Sequence, residues 1–236
     1  MRVIYTPEKK YLEQLENWLL EEKNNNLSNF YQNFINEEYT DDNFVCLVND
    51  NDEAIGYMDY TFCNEYSSLN IAIIKNEYNG KGYCKLLFES LSEHLASKGT
   101  MALKLFCEPL STKMVWMKLG FQEFKEKENH QFLNSKNFKL HWLFKTIKPS
   151  LKPTIEQNIE NKIELWTNDE YKINDFEKPT YTWDITSLHS PIIYPVDRNW
   201  KIRVTQNNEV TYDGKIKRFG SGSFDIGDFL IINALE

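Results

Sequence analysis

The chain lacks paired cysteines. Its four, Cys46, Cys63, Cys84 and Cys107, sit far apart, with no Cys-x-x-Cys and no histidine spaced as a co-ligand. A disulfide framework needs cysteines dense in a small secreted chain, and a structural zinc needs paired ligands. The pattern excludes both and predicts no metal and four reduced, mostly buried thiols. No uninterrupted apolar run approaches the ~18 residues that a membrane span requires, and the start, Met1-Arg2-Val3-Ile4-Tyr5-Thr6-Pro7, lacks the apolar core of a signal peptide. The expectation is a cytoplasmic protein with no membrane partner. Positive charge is also short: 27 Lys and Arg stand against 35 Asp and Glu, a formal net charge of −8. That balance argues against a nucleic-acid partner and favours a cationic or amine-bearing one. Repeats and low-complexity tracts are absent.

What is present is apolar bulk. Hydrophobic residues make up 41% and aromatics 14% of 236 residues, enough to build real cores and exclude global disorder. Arg2 to Tyr5 reads as a short strand, Thr6 as a helix N-cap and Pro7 as the first helical residue. Tyr11, Leu12, Leu15, Trp18, Leu19 and Leu20 recur near helical spacing until Asn24-Asn25-Asn26 stops them, and a shorter helix is expected over 28–37. Strands follow at 44–48, 54–62 and 69–74, the first two joined by the turn Asn49-Asp50-Asn51-Asp52. A helix runs to about Lys98, with Gly99 at its C-cap. Then come a buried strand 102–107, a helix 112–119, a strand 121–124 and a period-two strand 138–145. The order β-α-α-β-β-β-α-β-α-β-β is mixed α/β (α+β). A linker at 146–154 with Pro149 and Pro153 divides a domain 1–147 from a domain 148–236. The second domain reads as smaller and mostly antiparallel β. Its strands centre on 181–183, 191–195, 200–205 and 229–232, and Asp213-Gly214 is the expected hairpin turn between 210–212 and 215–219.

Chemistry concentrates between Ile71 and Leu87, where a strand, a turn holding Gly80 and Gly82, and a helix start follow one another. A helix N-terminus leaves about four amides unpaired and carries roughly half a positive charge. Glycines let backbone approach a bound anion, so the arrangement suits a phosphate or diphosphate, though a tight strand-to-helix turn without ligand has the same look. A Walker loop is excluded because no hydroxyl residue follows a lysine here, and a dinucleotide fingerprint because Lys85 occupies its third glycine position.

The stretch resembles the acetyl-CoA motif of the GNAT (GCN5-related N-acetyltransferase) family, Gln/Arg-x-x-Gly-x-Gly/Ala, with Asn79, Gly82 and Cys84 at those positions and an extra glycine at Gly80. Trp116-Met117-Lys118-Leu119-Gly120-Phe121 is similar to the family's Tyr-x-x-Leu-Gly-Phe. The resemblance covers about residues 1–145. It implies a central sheet splayed between strands 69–74 and 102–107, flanked by helices, with the pantetheine arm of acetyl-CoA pairing near Ile74. A backbone amide there would face the thioester oxygen. Amides from Asn79, Gly80, Lys81, Gly82, Tyr83, Cys84 and Lys85 would hold the diphosphate, with Lys81 or Lys85 adding charge. The implied activity is transfer of the acetyl group of acetyl-CoA, as co-substrate, directly to a primary amine: a small molecule, a peptide N-terminus or a lysine.

An amine must lose a proton before it attacks, so a base or water relay is expected. Where many relatives carry an acid on the fourth strand, this chain reads Ser67-Ser68-Leu69-Asn70, which leaves Glu108 and Asp59 as the candidate catalytic carboxylates, each weighed against an ordinary solvated acid. The family's proton-donating tyrosine corresponds to Trp116, whose indole is no proton source. A second function class follows: an acetyl-CoA-binding regulatory protein with weak or no turnover, whose β-domain binds a partner. In that β-domain Lys201, Arg203, Lys215, Lys217 and Arg218 form either a cationic patch or a solvated sheet face, and acids still outnumber bases there. The oligomeric state is left open, a homodimer included.

Overall fold

The computed structural model describes residues 1–25, 43–107, 110–124, 141–156, 159–169, 173, 177–186, 189–219 and 228–233. The chain packs as two compact units, Met1–Phe106 and Cys107–Glu236.

In the first unit, β1 (Arg2–Ile4), β2 (Phe44–Val48), β3 (Ala54–Cys63), β4 (Tyr66–Ile74) and β5 (Ala102–Cys107) lie in chain order. All neighbours are antiparallel except β4 and β5, which are parallel. Helix α1 (Lys9–Asn24) buries Tyr11, Leu12, Leu15, Trp18 and Leu19 against Cys46, Val48 and Tyr57. These helical residues recur three or four apart, the stripe that a half-buried helix requires. Helix α2 (Tyr83–Ser97) buries Leu87, Phe88, Leu91 and Leu95 and packs on β2, β3 and β4. The expected turn at 49–52 is built by Asn49, whose Oδ1 accepts from the amides of Asn51 and Glu53 at 3.0 Å each. Asp52 takes the left-handed φ of 65° that Asp tolerates.

One boundary moves. Thr6 and Pro7 precede the helix instead of opening it: Glu8, in extended conformation, is the N-cap, and α1 begins at Lys9. Pro7 disfavours helical φ/ψ at the residue before it and is itself buried, so it ends the entering strand segment. The helix expected over 28–37 lies outside the described residues.

The second unit holds α3 (Lys113–Lys118), the hairpin strands β6 (Gln122–Glu123) and β7 (His141–Thr146), and six further strands. β8 (Lys162–Asp169), β9 (Tyr181–Asp184), β11 (Trp200–Gln206) and β12 (Glu209–Lys215) form a four-stranded antiparallel sheet in the order β12-β11-β8-β9. β10 (Ile192–Val196) pairs with β13 (Asp228–Ile232). Ile163, Leu165, Trp183, Ile202 and Val204 from the larger sheet share one core with Ile192, Val196, Leu230 and Ile232 from the smaller. The antiparallel β-character is as expected, but β8 is a strand that the sequence pattern did not assign. The hairpin also differs. Its turn is Asn207-Asn208, at φ 51° and 65°, and Asp213-Gly214 lies inside β12, paired with Arg203 and Ile202. Asn-Asn accepts the left-handed pair of conformations that a tight hairpin needs, and Asp213 is worth more in the sheet, where Lys201 and Arg203 both bind it at 2.9 and 2.8 Å. Of the five cations weighed as a patch or a solvated face, Lys201 and Arg203 are thereby neutralised in part, Lys215 is buried, and Lys217 and Arg218 sit on a 3-10 turn. Among the thiols, Cys46 and Cys107 are buried while Cys63 and Cys84 are only half-buried.

Candidate active site

The site is made by a strand losing its neighbour. β4 pairs with β5 only from Tyr66 to Leu69, opposite Ala102 to Leu105. Residues 70–74 stay paired with β3 on their other side. Among the described residues the β5-facing edge of 70–74 therefore carries no strand partner and is open to an added extended chain. A bulge marks the point of divergence. Asp59 opposes Ile71 while Tyr60 opposes Leu69, so Asn70 is the extra residue, and bulges re-aim backbone where pairing ends. Asn70 Nδ2 donates to Asp59 Oδ2 at 3.3 Å and to Thr61 Oγ1 at 3.0 Å. At the far end β3 crowds against β4: a Cβ on Gly56 would stand 2.8 Å from the carbonyl oxygen of Ile73. Only glycine fits there without displacing the strand.

Beyond Ile74 the chain is fixed before it reaches the glycines. Lys75 N donates to Ile55 O at 2.9 Å, and Asn76 N donates to Glu22 Oε1 at 2.7 Å. Glu22 is buried on the apolar stripe of α1, one turn past Trp18 and Leu19. A 3-10 turn, Asn76–Tyr78, follows. The Tyr78 hydroxyl accepts from Asn49 Nδ2 at 3.2 Å, which ties the turn to the β2–β3 connection. Gly80 and Gly82 then adopt φ 74° and 83°, with nothing within 4 Å of where a Cβ would lie. Glycine is required there by backbone conformation, and the space beside it is open.

Gly82 is the N-cap of α2, and no side chain caps the helix. The first helical bond runs from Leu86 N to Gly82 O at 3.1 Å. The amides of Tyr83, Cys84 and Lys85 precede it and have no helical acceptor. Asn79, Gly80, Lys81, Gly82 and Lys85 are exposed. Lys81 Nζ lies 5.1 Å from the Tyr78 ring centre, and Lys85 Nζ is 3.6 Å from Glu89 Oε1. Outward-facing amides, the positive end of a 15-residue helix and two lysines fit a diphosphate, and the open strand edge fits an amide-bearing arm attached to it. Burial raises the Cys84 thiol above its ordinary pKa, which disfavours the thiolate.

Of the residues expected from sequence, Ile74 and the run Asn79 to Lys85 fall on one continuous path. Asp59 lies one strand away, half-buried and next to the bulge; Glu108 lies outside the described residues. Burial first, and then the Asp59 carboxylate, push the Tyr57 phenol far above its usual range. Trp116 is buried on α3 in the second unit, edge-on to Phe121 at 5.4 Å. Sequence reasoning missed Asn70, Gly56, Asn49 and Glu22. Two had a signal: a lone glycine inside a strand pattern, and an acid placed on a helix's apolar stripe.

Residues 12–121 match the family model described as "Acetyltransferase (GNAT) family". No curated protein matches the chain significantly. Among solved structures it is similar to a GNAT-family acetyltransferase of Staphylococcus aureus Mu50, at 16% identity and TM-score 0.48, covering 62% of this chain and 99% of that one. It is likewise similar to an aminoglycoside 6'-N-acetyltransferase complexed with coenzyme A, at 16% identity and TM-score 0.48, covering 63% and 98%. A third is the PaiA N-acetyltransferase of Thermoplasma acidophilum in complex with coenzyme A, at 16% identity and TM-score 0.47, covering 62% and 99%.

Proposed function

We propose, from the premise that residues 12–121 belong to the GNAT acetyltransferase family, that this protein transfers the acetyl group of acetyl-CoA directly to a primary amine. The observation that carries the reading is the uncapped start of α2 at Gly82, directly downstream of the open edge of β4. In this reading the amides of Gly82 to Lys85 bind the diphosphate, with Gly80 shaping the turn and Asn79 and Lys81 at its rim. The pantetheine arm adds to β4 alongside 70–74 as a partial strand. A backbone amide at Ile74 takes the oxyanion as the amine nitrogen bonds to the thioester carbon. Collapse breaks the C–S bond, coenzyme A departs as a thiolate, and the proton lost by the amine ends on the thiol. A thiol of pKa near ~8.5 needs little help to leave. Asp59, beside the bulge, and Glu108, directly after β5 in sequence, are the proposed proton acceptors.

The acceptor is a small amine, a peptide N-terminus or a lysine side chain, and the net charge of −8 favours a cationic one. Release of coenzyme A thiol is followed over a panel of polyamines, amino sugars, peptides with free N-termini and lysine peptides. Turnover on at least one amine is the expected outcome. Firm acetyl-CoA binding with no turnover on any acceptor favours the second reading, a binding protein, which one observation supports: a buried Trp116 stands where the resemblance places a tyrosine.

A further inference from the structure

The four-stranded sheet of the second unit has one face in the core and one face away from it, and that outer face is unusual. Antiparallel sheets facing water ordinarily carry exposed polar side chains. Here Thr205 and Glu164, on adjacent strands of the outer face, are only 6% and 8% exposed. They line a cleft of about 520 Å³, together with Glu160, Lys162, Arg203, Asn208 and Val210 among others. Such a volume is in the range of small-molecule sites.

The register shows how the floor is laid out. Arg203 stands between Asp213 on β12 and Glu164 on β8, and Thr205 between Val210 and Lys162. Three of the four charges that line the cleft already have a partner. Arg203 Nε and Nη2 bind Asp213 Oδ2 at 3.0 and 2.8 Å, and Lys162 Nζ binds Glu164 Oε1 at 3.1 Å. Two acids and two bases line the cleft, so its field is locally balanced. What it offers is residual hydrogen-bonding capacity at close spacing: the second oxygen of Glu164, the Nη1 of Arg203, the Asn208 amide and the Thr205 hydroxyl. Thr205 as a residue is more than nine-tenths buried, and its hydroxyl has no hydrogen-bond partner among the described residues. An ion would meet its own sign beside its counter-charge and gain little. A neutral ligand whose adjacent hydroxyls each donate and accept would bridge every donor–acceptor pair, through charge-assisted bonds. Val210, 58% exposed at the rim, offers an apolar wall for a ring face.

We propose that this cleft binds a neutral saccharide of one to three rings. Strands β8, β11 and β12 supply the floor, and Arg203, Glu164 and Thr205 make the contacts that fix it. The site belongs to the second unit alone, so it stands or falls independently of acetyl transfer.

The full chain is titrated calorimetrically with neutral mono-, di- and trisaccharides of glucose, galactose, mannose and N-acetylglucosamine, at low and at physiological ionic strength. Free amino acids and inorganic phosphate serve as charged competitors. Saturable binding of at least one saccharide is expected, with an affinity that hardly changes with salt. Thr205→Val keeps shape and burial while deleting the hydroxyl, and weakens that binding about five- to tenfold. Glu164→Gln, as a second variant, weakens it at least as much. The far-ultraviolet dichroism of both variants verifies the fold. No saccharide binding, an affinity indifferent to Thr205→Val, or salt-sensitive binding of the amino acids or phosphate in place of sugars overturns the proposal.

Discussion

At the scale of single residues, backbone conformation and carboxylate placement decide what the site can do. Gly80 and Gly82 are glycines because their φ values are positive, and a β-branched residue there strains the chain by about 1–3 kcal/mol. Asp59 is the described carboxylate nearest the bulge, held by Asn70 Nδ2, and Asp59→Asn keeps the hydrogen bond while removing the charge. If Asp59 accepts the proton, kcat falls about a hundredfold or more while the affinity for acetyl-CoA stays constant. An unchanged kcat in steady-state assays on the best acceptor assigns Asp59 to the scaffold and leaves Glu108. A separate acid–base cluster lies in the second unit. Glu123 is bound by Lys113 at 2.7 Å and by His141 at 2.8 Å, and those bonds, Lys113 first, lower its pKa below the ordinary 4.5. A carboxyl depressed in the folded state contributes stability above its unfolded pKa, and that contribution is lost as pH falls through the lower folded value. Wild type should therefore lose urea resistance as pH drops below 4.5, and Glu123→Gln should lose less over the same interval. Parallel pH profiles for the two proteins would show that the cluster contributes nothing.

At the scale of elements, the site depends on where strand pairing starts and stops. Gly56 allows β3 to press against Ile73 and Ile74, so Gly56→Ala must shift β4 at the proposed oxyanion position. The expected cost is about 1–3 kcal/mol of stability, with acetyl-CoA affinity reduced as well. Urea midpoints and calorimetry check both, and an alanine variant with unaltered affinity would place the thioester elsewhere. Much of this level was legible in the sequence. The glycine turn, α2 and β2 to β5 follow from periodicity and punctuation, because one apolar face per element is enough to place them. Other features were not. Strand β8 alternates Ile163 and Leu165 with Lys162 and Glu164, but four residues of alternation amid polar neighbours are too short a signal. Asp213-Gly214 carries the stronger local hairpin preference, yet Asn207-Asn208 makes the turn, since the pairing of Arg203 with Asp213 is a tertiary choice. Asn70 became the bulge through the register of β3 against β4, which no property of Asn70 announces. The glycine motif points to the proposed diphosphate contacts, whereas the proton acceptor depends on side chains from separate strands and stays beyond what the motif specifies.

At the scale of the whole molecule, the chain joins a unit that carries the proposed co-substrate site to a unit that closes its own core. In the first unit the proposed anchors fall within one run of sequence, from the edge at 70–74 to the amides of 82–85, and two part-buried contacts, Glu22 to Asn76 and Asn49 to Tyr78, hold that run in position. The second unit encloses Trp183 and Ile202 between two antiparallel sheets and presents a cleft of its own. The proposed co-substrate binding rests on one contact above the others, the start of α2 against a diphosphate. Calorimetric titration of wild type and Gly82→Val with acetyl-CoA and with acetyl-pantetheine, which lacks the diphosphate, reads that contact directly. The expected result is acetyl-CoA binding at least tenfold tighter than acetyl-pantetheine in wild type, with the difference largely erased in Gly82→Val. Equal affinity of wild type for the two ligands, or a folded Gly82→Val that still prefers acetyl-CoA to the same degree, would show that the diphosphate is not held at the start of α2.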